Sequence, residues 1–534
     1  MSVAAVALRL CGDAPDERIH AWVRALGRVD APLRSLQLPD VADAPDDLDR
    51  WLDETGVQRV AADARTDAVD VLVLADATAL PTPSCLRLLV ADAAGGAALV
   101  GTRVLPHGAA VLERDGATVP APHACVAVPM TAGPEHLRAC TAAEAAASSL
   151  AHGTDVRRLE AAAVLVDQAP AHPAPPGDVP PYGHPAALPS STLHRVLLDA
   201  GLTPPRLPTG REQRPFLTVI TRTQGTRLQC LEEVLTCLSG QSSRDFEVVL
   251  ACHRVADDAV DAVRHVVETM PAWLAARTRL IEVERPGRSS PLNDALDVAQ
   301  GRYAVVLDDD DAVAPDWVAA FAALEAEHPG VVLRSVALAQ EVRPVLVDDD
   351  GPRGPVPVET GPAHRIWPDA FSMVDHLWDN ASPPMTFAVP RGVFGDLGHR
   401  FDESLDTTED WDFLMRAAVV TGVASTPAVT ATYRVWNDGE GSRHLHDEQV
   451  WASGREAVLA TLDGLAILLQ PGAAREVRDL HRALAEETAE KFRFARLNEQ
   501  AAQDLGAVNE AVAALREQVA ELRERNARLR RRLT

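Results

Sequence analysis

Four consecutive aspartates, Asp308 to Asp311, follow the apolar run Tyr303-Ala304-Val305-Val306-Leu307 and precede Pro315. A β-prone run that stops at clustered carboxylates predicts a buried strand delivering oxygen ligands to the carboxyl edge of an open α/β sheet, where such sheets bind ligands. Carboxylates this close repel one another unless a cation neutralises them. A hard divalent ion, Mg2+ or Mn2+, held together with substrate phosphates, would do so. Taken alone, the run is as readily a solvated acidic turn or a helix N-cap. A second acidic pair, Glu409-Asp410, stands in Thr408-Glu409-Asp410-Trp411 at what reads as a helix start. By itself it is the pattern of a capped first turn, where carboxylates are favoured.

The elements around these residues narrow the choice. Upstream, Pro291-Leu292-Asn293-Asp294-Ala295-Leu296 and Ala299-Gln300-Gly301-Arg302-Tyr303 predict a short helix that closes on Gly301 just before the acidic strand. Downstream, Arg400-Phe401-Asp402-Glu403-Ser404-Leu405 leads into Thr408 to Arg416. In this order and at this separation the blocks resemble the family 2 glycosyltransferases of the GT-A fold, over about residues 214–440.

The resemblance implies an α/β, Rossmann-like nucleotide-diphospho-sugar transferase. Its activity would be inverting, metal-assisted transfer of a sugar from a nucleotide-diphosphate donor to a hydroxyl acceptor (glycan, lipid-linked or small molecule). It implies a divalent cation (Mg2+ or Mn2+) on Asp310 and Asp308, with Asp308 also facing the donor. His444 would be a late metal or diphosphate ligand, although a lone histidine in a polar loop is more often simply solvated. Asp410, with Glu409 beside it, would be the general base. Thr221 and Arg222, after a first strand at Phe216 to Ile220, and Asn293 would meet the donor, and acceptor contacts would enter between Trp367 and Pro384. Relatives usually end their second strand with a VDDGS-like turn that contacts the nucleotide base. This chain has Ala251-Cys252-His253-Arg254 there, which leaves His253 or the backbone for that contact.

Composition excludes several classes. At 534 residues the chain is long enough for several domains, and a net charge of -26 with a pI near 5.0 argues against a nucleic-acid partner. Cys11, Cys85, Cys125, Cys140, Cys230, Cys237 and Cys252 form neither CxxC pairs nor a disulfide framework, which suits a reducing cytosol without zinc. No stretch approaches the roughly 20 apolar residues of a membrane span, and the first residues lack a signal-peptide pattern, so the expected location is cytoplasmic, at most peripheral at a membrane. Asp309-Asp310-Asp311-Ala312-Val313 also fits the opening signature of haloacid-dehalogenase-type phosphatases. Those need a downstream lysine, and the one lysine of the chain is Lys491. A further alternative is a non-catalytic dimeric scaffold of GT-A-like domains that binds a glycan or nucleotide.

Along the chain, residues 1–168 alternate apolar strands with Ala-rich helical stretches. There Asp70-Val71-Leu72-Val73-Leu74-Ala75-Asp76-Ala77 and Pro81 mirror the later acidic strand with one aspartate, Asp76, left in place of four. This zone reads as a degenerate GT-A-like domain or as an unrelated Rossmann-like module. Residues 169–213 are a Pro-rich linker, 214–440 the catalytic domain, 441–474 a helical extension and 475–534 a helical tail. From about Leu505 the tail carries a heptad seam of Leu505, Val508, Val512, Leu515, Val519, Leu522, Asn526, Leu529 and Leu533. β-Branched a positions, leucine at d and one asparagine at a favour a two-stranded parallel coiled coil, hence a homodimer.

Overall fold

The computed structural model describes residues 6–11, 21–22, 33–37, 52, 57–60, 70–76, 79–82, 84–95, 99–105, 112–114, 117–119, 126–129, 156–165, 214–346, 354–437, 447–465, 467, 469 and 472–533. The acidic run lies in a sheet built from β1 (Leu217–Thr223), β2 (Phe246–His253), β3 (Thr278–Val283), β4 (Tyr303–Val306), β5 (Ala312–Val313), β6 (Val332–Val345), β7 (Val356–Glu359), β8 (Phe387–Pro390) and β9 (Val423–Trp436). Its order is β3-β2-β1-β4-β8-β6-β9-β5, with β7 paired to β6. Strands β3, β2, β1 and β4 are parallel, and β8 then turns the sheet antiparallel. Helices cover it: α1 (Leu228–Ser239), α2 (Asp257–Thr269), α3 (Ser290–Val298), α4 (Trp317–Glu327), α5 (Met373–Trp378), α6 (Glu409–Thr421) and α7 (Glu448–Asp463).

Parallel strands covered on both faces need continuous apolar sequence. β4 meets that need, with all four residues buried. It ends at Val306, in the middle of the sheet, while β5 pairs with β9 at the edge. The four aspartates therefore carry the chain from the centre of the sheet to its rim. Gly301 sets the approach to β4. A Cβ there would lie 2.5 Å from the Thr218 backbone nitrogen, so only glycine lets this turn rest on β1, where its N–H donates to Thr218 Oγ1 at 2.8 Å.

The N-terminal strands Val6–Cys11, Leu33–Gln37, Gln58–Val60, Val71–Asp76, Leu80–Pro81, Leu99–Leu105, Val126–Pro129 and Val156–Leu165 form an eight-stranded sheet. Taken in chain order, they neighbour one another as β1 to β6, β8 and β9 do, with the same parallel and antiparallel pairings. The registers agree as well. Val71 stands opposite Pro129 as Tyr303 stands opposite Pro390, and Leu80 opposite Leu165 as Ala312 opposite Thr432. By register, Val71 thus stands where Tyr303 does and Leu80 where Ala312 does, at the same spacing along the chain, which sets Asp76 in the place of Asp308 and Ala79 in that of Asp311.

Buried contacts join the two zones on either side of the linker expected at 169–213. Leu80 and Leu105 belong to the buried cluster of Phe216, Leu217 and Leu235, and Ser84 Oγ donates to the buried Glu232 Oε2 at 3.0 Å. By contacts, the chain divides instead into Met1–Gln470 and Pro471–Thr534. The second unit is one 61-residue helix, α8 (Ala473–Leu533), about 90 Å long at 1.5 Å per residue. Its seam residues face solvent, with Leu505 62%, Leu515 59% and Leu522 57% exposed. Among the described residues, no helix is long and apolar enough to cross a membrane. The linker 169–213 and His444 lie outside the described residues.

Candidate active site

The last residues of β1 meet the acidic run. Arg222 grips Asp308 with both ends of its fork, Nε at 2.9 Å from Oδ1 and Nη2 at 3.3 Å from Oδ2. Its Nη1 donates to Glu409 Oε1 at 2.9 Å and to the Arg288 carbonyl at 3.0 Å. One guanidinium thereby joins the acidic strand to the start of α6. Arg227, at the mouth of α1, pairs with the next two carboxylates: Nη2 lies 2.8 Å from Asp309 Oδ1, and Nη1 donates to Asp310 Oδ2. Trp436 Nε1 donates to that same Asp310 oxygen at 2.9 Å. Asp311 Oδ1 accepts from the Arg434 backbone N–H at 2.9 Å, and its buried Oδ2 has no partner among the described residues. Arg434 itself donates to the Asp310 carbonyl at 3.0 Å and makes a fully buried ion pair with Glu233 at 2.7 Å.

Burial and these cations set the acidities. Burial alone would raise Asp308, but Arg222 wins and holds it below the usual carboxylate range. For Asp309 burial wins over Arg227 and pushes the pKa up to about 6, and burial with Asp310 nearby pushes Asp311 well up.

At the start of α6 the neighbouring acids diverge in the same way. Glu409 is buried, yet Arg288 (Nε at 3.2 Å) and Arg222 together keep it ionised and below its ordinary value. Asp410 is pushed up to about 6, first by burial and then by the Glu409 charge beside it. Its Oδ1 accepts from the Trp411 N–H at 2.8 Å and its Oδ2 from Asn380 Nδ2 at 3.1 Å. Thr408, the residue before this pair, has φ of 65°. A β-branched residue in the left-handed region is strained, and such strain gathers at functional sites. Helix α7 packs closely here, since a Cβ on Gly454 would lie 2.6 Å from Thr407 Oγ1 and 2.8 Å from Thr408 Oγ1.

These groups wall a cavity of about 460 Å3. Arg222, Arg288, Asp308, Glu409 and Asp410 form its charged side, Trp367, Tyr433 and Trp451 its aromatic side, and Asn380, Pro383 and Pro384 a further edge. Arg334 anchors that edge from beneath. It is buried, donates to the Pro368 and Ala381 carbonyls at 2.9 and 3.1 Å and to Ser382 Oγ at 2.7 Å, and burial pulls its pKa down to about 10. His376, on the same Ser382 hydroxyl at 2.8 Å, is pushed down to about 3 by burial and stays neutral. A carboxylate poised near neutral pH can take a proton here, and the guanidiniums can face an anionic group.

The expected residues divide. Arg222, Asp308, Glu409 and Asp410 come together in this cavity, and Asp310 lies beside it on Arg227 and Trp436. The expected acceptor segment supplies Trp367, Asn380, Pro383 and Pro384. Asn293, expected at the donor, instead ties α3 to the segment before α6: its Nδ2 donates to the Phe401 carbonyl and Glu403 Oε1, each at 3.0 Å, and its Oδ1 accepts from Phe401 N at 2.9 Å. Thr221 is fully buried, and its hydroxyl has no partner among the described residues. His253 holds the Arg285 carbonyl at 2.9 Å. Trp411 is wholly buried core, its Nε1 donating to the His376 carbonyl at 2.9 Å. Sequence reasoning missed Arg227, Arg288, Arg434 and Trp436, and also Trp451 and Arg455 of α7. Of these, only the last two carried a signal, a four-residue spacing on one helix face after the capping Asp447.

The donor set suits a divalent cation in charge. Six carboxyl groups (Asp308 to Asp311, Glu409, Asp410) stand against the guanidiniums of Arg222, Arg227, Arg288 and Arg434, and Arg434 also neutralises Glu233. Among the described residues, no three such side chains are already gathered to hold an ion.

Residues 219–349 match the family model Glycosyl transferase family 2. Comparison with curated proteins yields no match. Solved structures similar to this chain include S. aureus TarS 1-349 (20% identity over 41% of this chain and 60% of that one, TM-score 0.29). The same protein in complex with UDP-GlcNAc gives 18%, 46%, 71% and 0.33. The mannosyltransferase PcManGT from Pyrobaculum calidifontis, in complex with GDP-Man and Mn2+, gives 20%, 56%, 90% and 0.31. The chain thus covers less than two thirds of the first of these.

Proposed function

We propose that this chain, whose residues 219–349 form a glycosyl transferase family 2 domain, is an inverting glycosyltransferase with Asp410 as its general base. It moves a sugar from a nucleoside-diphosphate donor to a hydroxyl acceptor. The observation that carries the reading is the setting of Asp410, a half-buried carboxyl lifted to about 6 on the wall of the cavity it shares with Arg222, Arg288 and Asp308. A general base works best with its pKa near the operating pH.

The acceptor hydroxyl lies against Asp410. Its oxygen bonds to the anomeric carbon from the face opposite the diphosphate, its proton passes to Asp410, and the carbon–oxygen bond to the diphosphate breaks with its electron pair. Configuration at that carbon inverts. Arg222 and Arg288 face the charge that grows on the leaving group. A divalent cation on Asp308 and Asp310, when bound, supplies further charge for the diphosphate. The faces of Trp367, Tyr433 and Trp451 suit a sugar ring in the acceptor.

Donor binding tests the reading directly. Nucleotide sugars with UDP and GDP moieties, screened with Mn2+ by thermal unfolding, are expected to include one that stabilises the protein by about 3 kcal/mol at a hundred times its Kd. If none shifts the transition, the site is not a donor site.

The N-terminal sheet belongs to this reading as a GT-A-like repeat without turnover, because Ala77, Thr78 and Ala79 replace three of the four aspartates. The tail makes a second copy of the chain its partner. Deleting residues 500–534 is expected to halve the mass seen by light scattering while the nucleotide-induced shift persists. A dimer that survives the deletion would remove the coil as the main interface.

A further inference from the structure

A resident cation already sits on Asp310, one of the two carboxylates given above to the metal. Arg227 spans Asp309 and Asp310, and the Asp310 oxygen it holds also accepts from Trp436 at 2.9 Å. The Arg227 guanidinium lies 5.8 Å from the centre of the Trp436 ring, and its side chain is only 23% exposed, so partner and ring fix it over the acidic run. Arg222 cannot take over, since its fork is committed to Asp308 and Glu409.

We propose that Arg227 is a built-in counter-ion for the acidic run that must give up Asp310 before a divalent cation can bind, and that the donor's diphosphate is what draws it away. The proposal rests on the nucleotide-sugar reading above and adds an order of binding to it. A metal ion alone meets a carboxylate already paired with a guanidinium and binds weakly. A metal ion arriving with a diphosphate offers Arg227 a new anion, because a guanidinium pairs with phosphate oxygens as well as with carboxylate. The two ligands then bind cooperatively, each raising the affinity of the other by the same factor. Without such a stand-in, the clustered carboxylates would repel one another in the donor-free protein, and metal would bind there without help.

Mn2+ binding to the full chain, followed by the electron paramagnetic resonance signal of the free ion, reads this out. Without nucleotide, wild type is expected to bind Mn2+ weakly, and Arg227→Gln about tenfold or more tightly, the loss of one adjacent charge being worth at least that factor. With UDP or GDP present, and the Mn2+ held by free nucleotide subtracted, wild type gains Mn2+ affinity by a larger factor than Arg227→Gln. Arg227→Lys, which keeps the charge, restores weak binding of Mn2+ alone. A merely structural arginine would not tighten a metal site when removed. Tight Mn2+ binding by wild type without nucleotide, or no tightening in Arg227→Gln, overturns the proposal and leaves the donor reading standing. Absence of UDP and GDP binding under every condition overturns both.

Discussion

Asp410→Asn is expected to lower sugar transfer by about two to four orders of magnitude while donor binding stays near that of the wild type. Asparagine keeps the size of the side chain and an oxygen for the Trp411 N–H, but it cannot accept the acceptor's proton. On the proposed reading donor affinity resides elsewhere, in Arg222, Arg288 and the acidic run. The pH profile supplies a second readout. Asp410 is raised to about 6, so it is protonated and inactive below that value and ionised above it. Transfer by the wild type should therefore rise with pH through about 6, and the residual rate of the variant should lack that limb. Stability moves the other way. A carboxyl whose folded pKa is raised favours the fold most at low pH and loses that contribution as pH climbs through about 6. In Asp410→Asn the gain from removing the buried charge at pH 7.5 is offset by the hydrogen bond that Asn380 Nδ2 loses to an amide nitrogen, so the melting temperature should move little. An Asp410→Asn protein with near-normal transfer would end the assignment.

What the chain reveals before folding is local. The apolar run ending at Asp308, the turn at Gly301 and the acidic first turn of α6 are short-range patterns, and each element forms where its residues place it. The sequence sets Pro81 against Pro315, whereas the strand registers put Pro81 where Val313 stands, a two-residue difference that only the pairing to the last strand reveals. The charge network was not legible either. Arg288 meets Glu409 across 121 positions, and Arg222 meets it across 187, contacts that exist only once α6 is laid against β1. Asn293 shows how a motif can be located from its sequence while its contacts stay hidden. Its place before the acidic strand was legible, whereas its hydrogen bonds run to Phe401 and Glu403, so it joins two blocks that the sequence presents as separate. Trp451 and Arg455 lay outside the resemblance altogether, on a helix that reaches the cavity only because Gly454 lets it approach Thr407 and Thr408.

Arg222→Gln should then damage stability and chemistry together, and separably. The wild-type side chain is 17% exposed and holds Asp308 by two contacts and Glu409 by a third. Glutamine leaves Asp308 without its fork and Glu409 with Arg288 alone, and breaking a buried charge pair from one side costs about 3–5 kcal/mol. Urea unfolding of the Met1–Gln470 unit should register a loss of that order. The acidities shift as well. Arg222 is among the charges that restrain the pKa of Asp410, so its removal should move the acid limb of transfer upward from about 6. Arg222→Lys separates charge from geometry. A single ammonium cannot make the bidentate contact to Asp308 and reach Glu409 at once. The lysine variant should therefore keep part of the stability and hold the limb nearer to that of the wild type, yet still lose donor affinity. If both variants keep wild-type unfolding and an unshifted limb, Arg222 does not join the acidic run to the base, and the two halves of the site act independently.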